Sequence, residues 1–261
     1  MEVVRHRFVP DADLSREGME SLQDEIAEAA VFEDDLAFDP ATVSLARDDD
    51  QRTLGDIDPP VVAGVDQAFL EDGRAVSAAV ALRAGEVIDE ATAVAETEIP
   101  YVPGLLSFRE GNAVLAALAS LSVTPDLTVV DGSGRIHFRQ AGLATHVGVA
   151  LDHPTVGVAK NLLCGTPREP LSDRLPEGTR IPIEADDGVT APDGTVIGYA
   201  YQSRQYERGS TSINPLYVSP GHRISAETAV EVIERTCDGY KLPEPTRLAD
   251  ALADEAKIEF E

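Results

Sequence analysis

The chain has 261 residues, 43% of them hydrophobic, and carries 47 acidic against 21 basic residues, for a formal net charge of −26. That length supports a sizeable core, no apolar run is long enough to span a bilayer, and the opening MEVVRHRFVP is not a secretion signal, so a soluble cytoplasmic protein is expected. Cys164 and Cys237 form no CxxC pair or His–Cys cluster, which argues against a disulfide framework and a zinc site, and so acidic a surface taken alone argues against binding polyanions.

In chain order, residues 12–30 read as a helix capped by Ser15, with Leu22, Ile26 and Ala29 at helical spacing. Residues 33–60 are Asp-rich and end in Pro59-Pro60, which predicts a long acidic surface loop or partly disordered insertion. VVAGVDQAF (61–69) is a strand, and a second and third strand follow, joined by Ala84-Gly85. Then come a helix over 107–121, a buried strand LTVV (127–130), a helix QAGLATHVGVAL, and a buried strand over 155–160. An acidic loop over 168–193 leads to strands in TVIGYAYQS and INPLYVS and to two closing helices in SAETAVEVIERT and PEPTRLADALADEA. Three antiparallel strands, then helix, strand, helix, strand, predict a mixed α/β sheet flanked by helices in the order of a ribonuclease H-like fold. A single domain over 1–261 and a monomer are expected.

The acidic surplus is not uniform. Residues 1–60 hold 17 acids against 5 bases, whereas 101–168 hold 4 acids against 5 bases, and 204–223 carry Arg204, Arg208 and Arg223 against Glu207. Something anionic could approach the two cleared segments. An acidic shell with so few lysines also suits concentrated salt, where charges are screened within roughly 3 Å at 1 M.

Asp66 and Asp131 each end the apolar core of a strand, where ligands of open α/β sheets gather. If those strands are parallel neighbours, the two carboxylates repel unless a divalent cation joins them, and hard oxygen donors favour magnesium or manganese. Asp131 also begins an Asp-Gly turn dipeptide, and Gly132 and Gly134 around Ser133 would let a planar group lie against bare backbone. Glu110 shares the apolar face of its helix, but Ser107 and Glu110 also spell a capping box. Tyr101 lies in IPYVPG between two prolines, a stiff loop suited to filling the gap left by an extruded base, or simply to covering the sheet edge.

VAGVDQAF, IPYVPGLLSFRE, VVDGSGRIHFRQAGLATHVGV, PTVGVAK, YVSPGH and YKLPEPTRLAD together resemble endonuclease V, the deoxyinosine 3′ endonuclease, over roughly residues 14–256. The resemblance implies a ribonuclease H-like, magnesium- or manganese-dependent DNA repair nuclease. Its members cut the second phosphodiester bond 3′ to deoxyinosine and leave 3′-hydroxyl and 5′-phosphate ends. It implies metal-binding and catalytic roles for Asp66, Glu110 and Asp131, and places Lys160 near the scissile phosphate. It makes Tyr101 the wedge and sets Gly104, Leu106, Gly132, Gly142 and Leu143 around the flipped base, with His137 near the pocket and Arg135 and Arg139 towards phosphates. HFRQ stands where relatives have HPRR, and Ser133 replaces the usual polar or His residue. Asp250 stands where some members place a metal-linked His, although Asp250 and Asp254 at i,i+4 also suit a solvated helix face. The rival expectations are an inosine-specific endoribonuclease using the same site and a non-cleaving binder of damaged DNA.

Overall fold

The structure, a computed structural model, describes residues 1–46, 58–97, 99–172, 174–206 and 212–260. The middle of the acidic segment (47–57) and the expected basic residue Arg208 lie outside the described residues.

Strands β1 (Val61–Phe69), β2 (Arg74–Arg83) and β3 (Glu86–Glu96) form an antiparallel meander. Ala84 and Gly85 both take positive φ, of 50° and 74°, the conformation of a two-residue turn whose twist matches the strands it joins. Helix α2 (Leu106–Ser120) then crosses over to β4 (Leu127–Asp131), and helix α3 (Leu143–Leu151) crosses to β5 (Thr155–Ala159). Both β4 and β5 run parallel, with Val65 beside Val130 and Asp131 beside Val158. The chain continues through β6 (Thr166–Pro167), β7 (Arg180–Glu184), β8 (Val196–Tyr201) and β9 (Leu216–His222), which pairs back onto β5. Helices α4 (Ala226–Arg235) and α5 (Glu244–Phe260) close the fold. The sheet has the order β3-β2-β1-β4-β5-β9-β8-β7-β6, the mixed ribonuclease H-like arrangement expected from the element order. Among the described residues no helix is long and apolar enough to cross a membrane.

Alternation along β1 decides which side chains reach which layer. Val61, Ala63 and Val65 pack with Leu118 of α2 and Val147 of α3, whereas Val62 joins Ile233 of α4 and Ala68 joins Ala253 of α5. Helix α1 (Arg16–Ala29) begins at Ser15, whose hydroxyl accepts from the Gly18 N–H, and buries Met19 and Ile26. Both cysteines are free thiols.

Three expectations need correction. The segment 168–193 is not all loop: Ile181 and Ile183 are buried on alternate positions of β7. Pro182 disguises that strand, and it is tolerated because only the two-residue β6 lies beyond β7 at the sheet edge. The start of the acidic segment is docked, not disordered. Asp34 accepts from the Ser225 N–H (2.7 Å) and the Thr228 hydroxyl (2.7 Å) at the start of α4, where a carboxylate suits the helix dipole, and Val43 is buried against the same layer. The helix expected from Gln140 starts only at Leu143, because Gln140 itself takes a positive φ of 54°.

Helix α5 lies directly on β1 through Gly64, where an added Cβ would overlap the Pro245 carbonyl group. Neither backbone can yield without separating strand and helix. Gly64→Ala is therefore expected to destabilise the protein by about 1–3 kcal/mol through overpacking, lowering the melting temperature by roughly 2–4 °C per kcal/mol in a chain of this size. Thermal denaturation followed by circular dichroism checks this.

Candidate active site at the strand ends

The parallel pairing of β1 and β4 brings Asp66 and Asp131 side by side, one residue beyond the Val65–Val130 pair: Asp131 ends β4, and Asp66 lies where β1 outruns its parallel partner and goes on paired to β2 alone. Both point towards the α4/α5 layer, and Lys160 follows β5 at the next position across, on the same side. The Lys160 ammonium donates to Asp131 Oδ2 at 2.9 Å. Burial pulls Lys160 down, but the charges of Asp131, Asp66 and Asp250 outweigh it and hold the ammonium above its usual pKa.

Asp66 is 8% exposed; its Oδ1 accepts the Gln67 N–H at 2.7 Å, and its Oδ2 is buried and meets no donor. Burial first, then the charge of Asp131, push its pKa well above the carboxylate range. Asp250 of α5 brings another carboxyl against it, which favours a shared proton further. Asp250 thus faces the strand ends, while Asp254 one turn on is exposed.

Glu110 arrives from α2 on the other face of the sheet. It is 8% exposed, and burial lifts its pKa to about 7 against the opposing pull of Arg109 and Gln67. The capping box expected from Ser107 and Glu110 does not form. The helix begins at Leu105 without a side-chain cap, and the Ser107 hydroxyl is buried without a partner. Glu110 instead accepts from Gln67 Nε2 at 3.0 Å.

Asp66, Glu110, Asp131 and Lys160, but not Asp250, line a cavity of about 450 Å³ together with Tyr101, Gly104, Leu106, Gly132, His137, Gly142 and Leu143. Eleven of the fourteen residues singled out from the sequence therefore meet in one hollow. Tyr101 is 66% exposed at its mouth. Gly104 takes φ +83°, and its carbonyl accepts from Gln23 Nε2 (2.6 Å) and His137 Nε2 (3.0 Å). Because His137 Nδ1 accepts the Arg139 N–H at 3.2 Å, both ring nitrogens are satisfied in the neutral ring, and burial holds its pKa down at about 4. His137 is thus a brace for the Gly104 turn. Gly132 faces Leu143, which a Cβ would approach to 3.1 Å, but Gly134 serves packing, since its Cβ would overlap the Pro220 carbonyl oxygen.

Arg135 and Arg139 lie outside the cavity lining, and both have protein partners. Arg135 stacks on Phe32 at 4.4 Å and donates to Gln140 at 2.9 Å, while Arg139 pairs with Glu20 at 2.9 Å. The cavity also holds residues the sequence reading passed over, among them Gln67, Phe69 and Asn161. Gln67 had a signal: it is a polar residue on the apolar-facing phase of β1. Phe69 shares that phase and carries the Arg109 guanidinium at 4.6 Å.

As the side chains stand, no three His, Cys, Asp or Glu groups among the described residues close into a ready cage for a metal ion. The donor set nevertheless fits a hard divalent cation. Among the described residues Asp66 Oδ2 meets no donor, Asp131 is paired with Lys160, and burial of Asp66 beside Asp131 is costly without a further positive charge.

Comparison with known proteins agrees with this geometry. The Endonuclease V family profile matches residues 43–251. Endonuclease V of Haloarcula marismortui is 62% identical over 267 aligned positions, covering 99% of this chain and 98% of its own length. The crystal structure of endonuclease V from Streptomyces avermitilis superposes with a TM-score of 0.72 at 34% identity, over 95% of each chain. At 22% identity and a TM-score of 0.68, a Ciona intestinalis endonuclease V crystallised with DNA containing an inosine shares the fold, over 93% of this chain and 97% of its own. With carboxylates gathered at its strand ends and relatives this close over almost its whole length, the chain belongs to the endonuclease V family of nucleases, which act on phosphodiester bonds.

Proposed function

We propose that this protein is a magnesium-dependent DNA repair endonuclease, with manganese as a substitute, that recognises deoxyinosine and hydrolyses the second phosphodiester bond on its 3′ side. The products carry 3′-hydroxyl and 5′-phosphate ends. The observation that carries this reading is the placement of Asp66 and Asp131 side by side at parallel strand ends, on the rim of a cavity large enough for an extruded base.

Asp66 and Asp131 would hold the divalent ion, with Asp250 and Glu110 as further oxygen donors around it. Such an ion polarises a phosphate oxygen and lowers the pKa of water. Lys160, beside Asp131, offsets negative charge as the water oxygen bonds to phosphorus and the bond to the 3′ oxygen breaks. Glu110, buried and near pH 7 in its titration, is suited to orient the attacking water and take its proton. Tyr101 fills the place of the extruded base, while Leu106, Leu143 and the Gly104, Gly132 and Gly142 backbone enclose that base. His137 reaches the base indirectly, by holding the Gly104 carbonyl. Arg135 and Arg139, already partnered within the protein, add positive potential beside the cavity. The Ciona complex with inosine-containing DNA supports the choice of lesion. Inosine in RNA is the second substrate to test, because the enclosing groups read the base and not the sugar.

Asp131→Asn removes a donor and leaves Lys160 without its partner; nicking of a duplex with one deoxyinosine, mapped to the nucleotide, should fall at least about a hundredfold, an effect worth roughly 3 kcal/mol. Wild-type protein should bind but not cut the same duplex in EDTA, and normal nicking by Asp131→Asn would sink the metal assignment.

Asp66→Asn should separate stability from activity. The native state disfavours the charged carboxylate that the unfolded chain carries freely at neutral pH, so a neutral isostere should raise stability by on the order of 1 kcal/mol while abolishing cleavage. Melting temperature and nicking measured on one preparation check both halves.

Tyr101→Ala should leave the melting temperature unchanged, because the ring is mostly exposed. Loss of about 1–3 kcal/mol of base stacking should weaken binding to the deoxyinosine duplex roughly 5- to 150-fold while leaving undamaged duplex little affected. Gel-shift titrations of the two duplexes give the ratio.

A further inference from the structure

Asp66 and Glu110 approach the strand ends from opposite faces of the sheet. Even-numbered positions of β1 face α4 and α5, odd-numbered ones face α2 and α3, and Glu110 belongs to α2. Their relative placement is relayed by one residue, Gln67. Its main-chain N–H donates to Asp66 Oδ1 at 2.7 Å, and its side-chain Nε2 donates to Glu110 Oε2 at 3.0 Å. With Glu110 ionised, as it would be beside a divalent ion, its carboxylate accepts only, so Nε2 faces it. That turns Oε1 away, and Oε1 is buried without a partner in a residue that lines the cavity. A half-buried amide committed on one side, with its buried oxygen unsatisfied on the other, is an expensive way to fill space, and an apolar side chain at this odd position would continue the packing of Val61, Ala63 and Val65.

We propose that Gln67 is a positioning residue, which ties Glu110 to Asp66 across β1 and so sets the spacing of the two acids around a shared divalent ion. This rests on the nuclease reading above. Gln67 acts through Glu110.

The test uses full-length protein and Mn²⁺ alone, followed by calorimetry, alongside nicking kinetics on the deoxyinosine duplex. Gln67→Met keeps length and bulk but removes the donor; Gln67→Asn keeps the amide but falls short of Glu110. Both should melt within a few degrees of wild type and keep KM for the duplex within about twofold, while losing about 10- to 100-fold in Mn²⁺ affinity, as for other groups that orient metal ligands. The fall in kcat at low metal should be recovered by raising Mn²⁺. In Glu110→Gln protein, adding Gln67→Met should produce little further loss, because the two side chains act as one unit. Should one variant fail to fold, the other carries the comparison. Wild-type Mn²⁺ affinity in either folded variant, or fully additive losses in the double variant, overturns the inference alone. Wild-type protein that neither binds Mn²⁺ nor nicks the duplex overturns the nuclease reading and this inference with it.

Discussion

Parallel pairing of β1 with β4 is the constraint from which the site follows. Asp131 is the last residue of β4, and Asp66 is the residue of β1 just beyond the stretch that pairs with β4, so the ladder leaves two acids side by side on the same face. A backbone ladder of Val62 to Val65 against Leu127 to Val130 holds them there, and side-chain repulsion cannot undo it. The cost falls on protonation instead: Asp66 is pushed towards its neutral form by burial and by its neighbour. The fold thus stores an electrostatic conflict at the mouth of a cavity, and a divalent cation is the simplest group that resolves it.

The opposite pole of the same sheet shows how this chain treats a carboxylate that is purely structural. Asp152 follows α3, with a left-handed φ of 51°, and burial alone would raise its pKa. Arg223, His222 and Arg5 converge on it and hold it below the ordinary value. Asp126 nearby accepts the Val61 N–H at 2.7 Å, and Asp34 accepts from Ser225, the residue that caps α4, and from the Thr228 hydroxyl. Acids at that pole have donors arranged around them. Asp66 and Glu110 have one main-chain donor and one glutamine amide between them, although both are more buried than Asp152. Burial without matching donors, in a chain that supplies donors elsewhere, separates the carboxylates at the cavity from the structural ones.

Much of this was legible before the fold was seen, for identifiable reasons. Strands β1, β4 and β5 announce themselves because centrally placed strands are continuously apolar, so an acid at the end of VVAGV or LTVV stands out. Glu110 was ambiguous because a capping box and a buried acid share one spacing, and only the local start of α2 at Leu105 decides between them. β7 was hidden by Pro182 and by flanking acids. Arg135 and Arg139 are placed by their neighbours in sequence, but Phe32 and Glu20, the distant partners that engage them, lie in segments whose approach no local pattern predicts. Gln67 was passed over because an amide carries no charge, and its meaning depends on which helix covers that face of β1.

The uneven charge of the chain then has a physical role. The acidic shell is densest in the first sixty residues, where its described members are surface groups or caps, and it thins across 101–168, the stretch that supplies most of the cavity wall. A phosphate backbone approaching that wall meets Lys160, and the acids it encounters are those a cation would neutralise. Elsewhere the surface repels it. Under the function proposed above, repulsion over most of the molecule and tolerance at one rim would orient a polyanion without a large basic patch and would leave discrimination to the cavity. Specificity by enclosure, not by bulk electrostatic attraction, is also the arrangement least weakened when salt screens long-range charge.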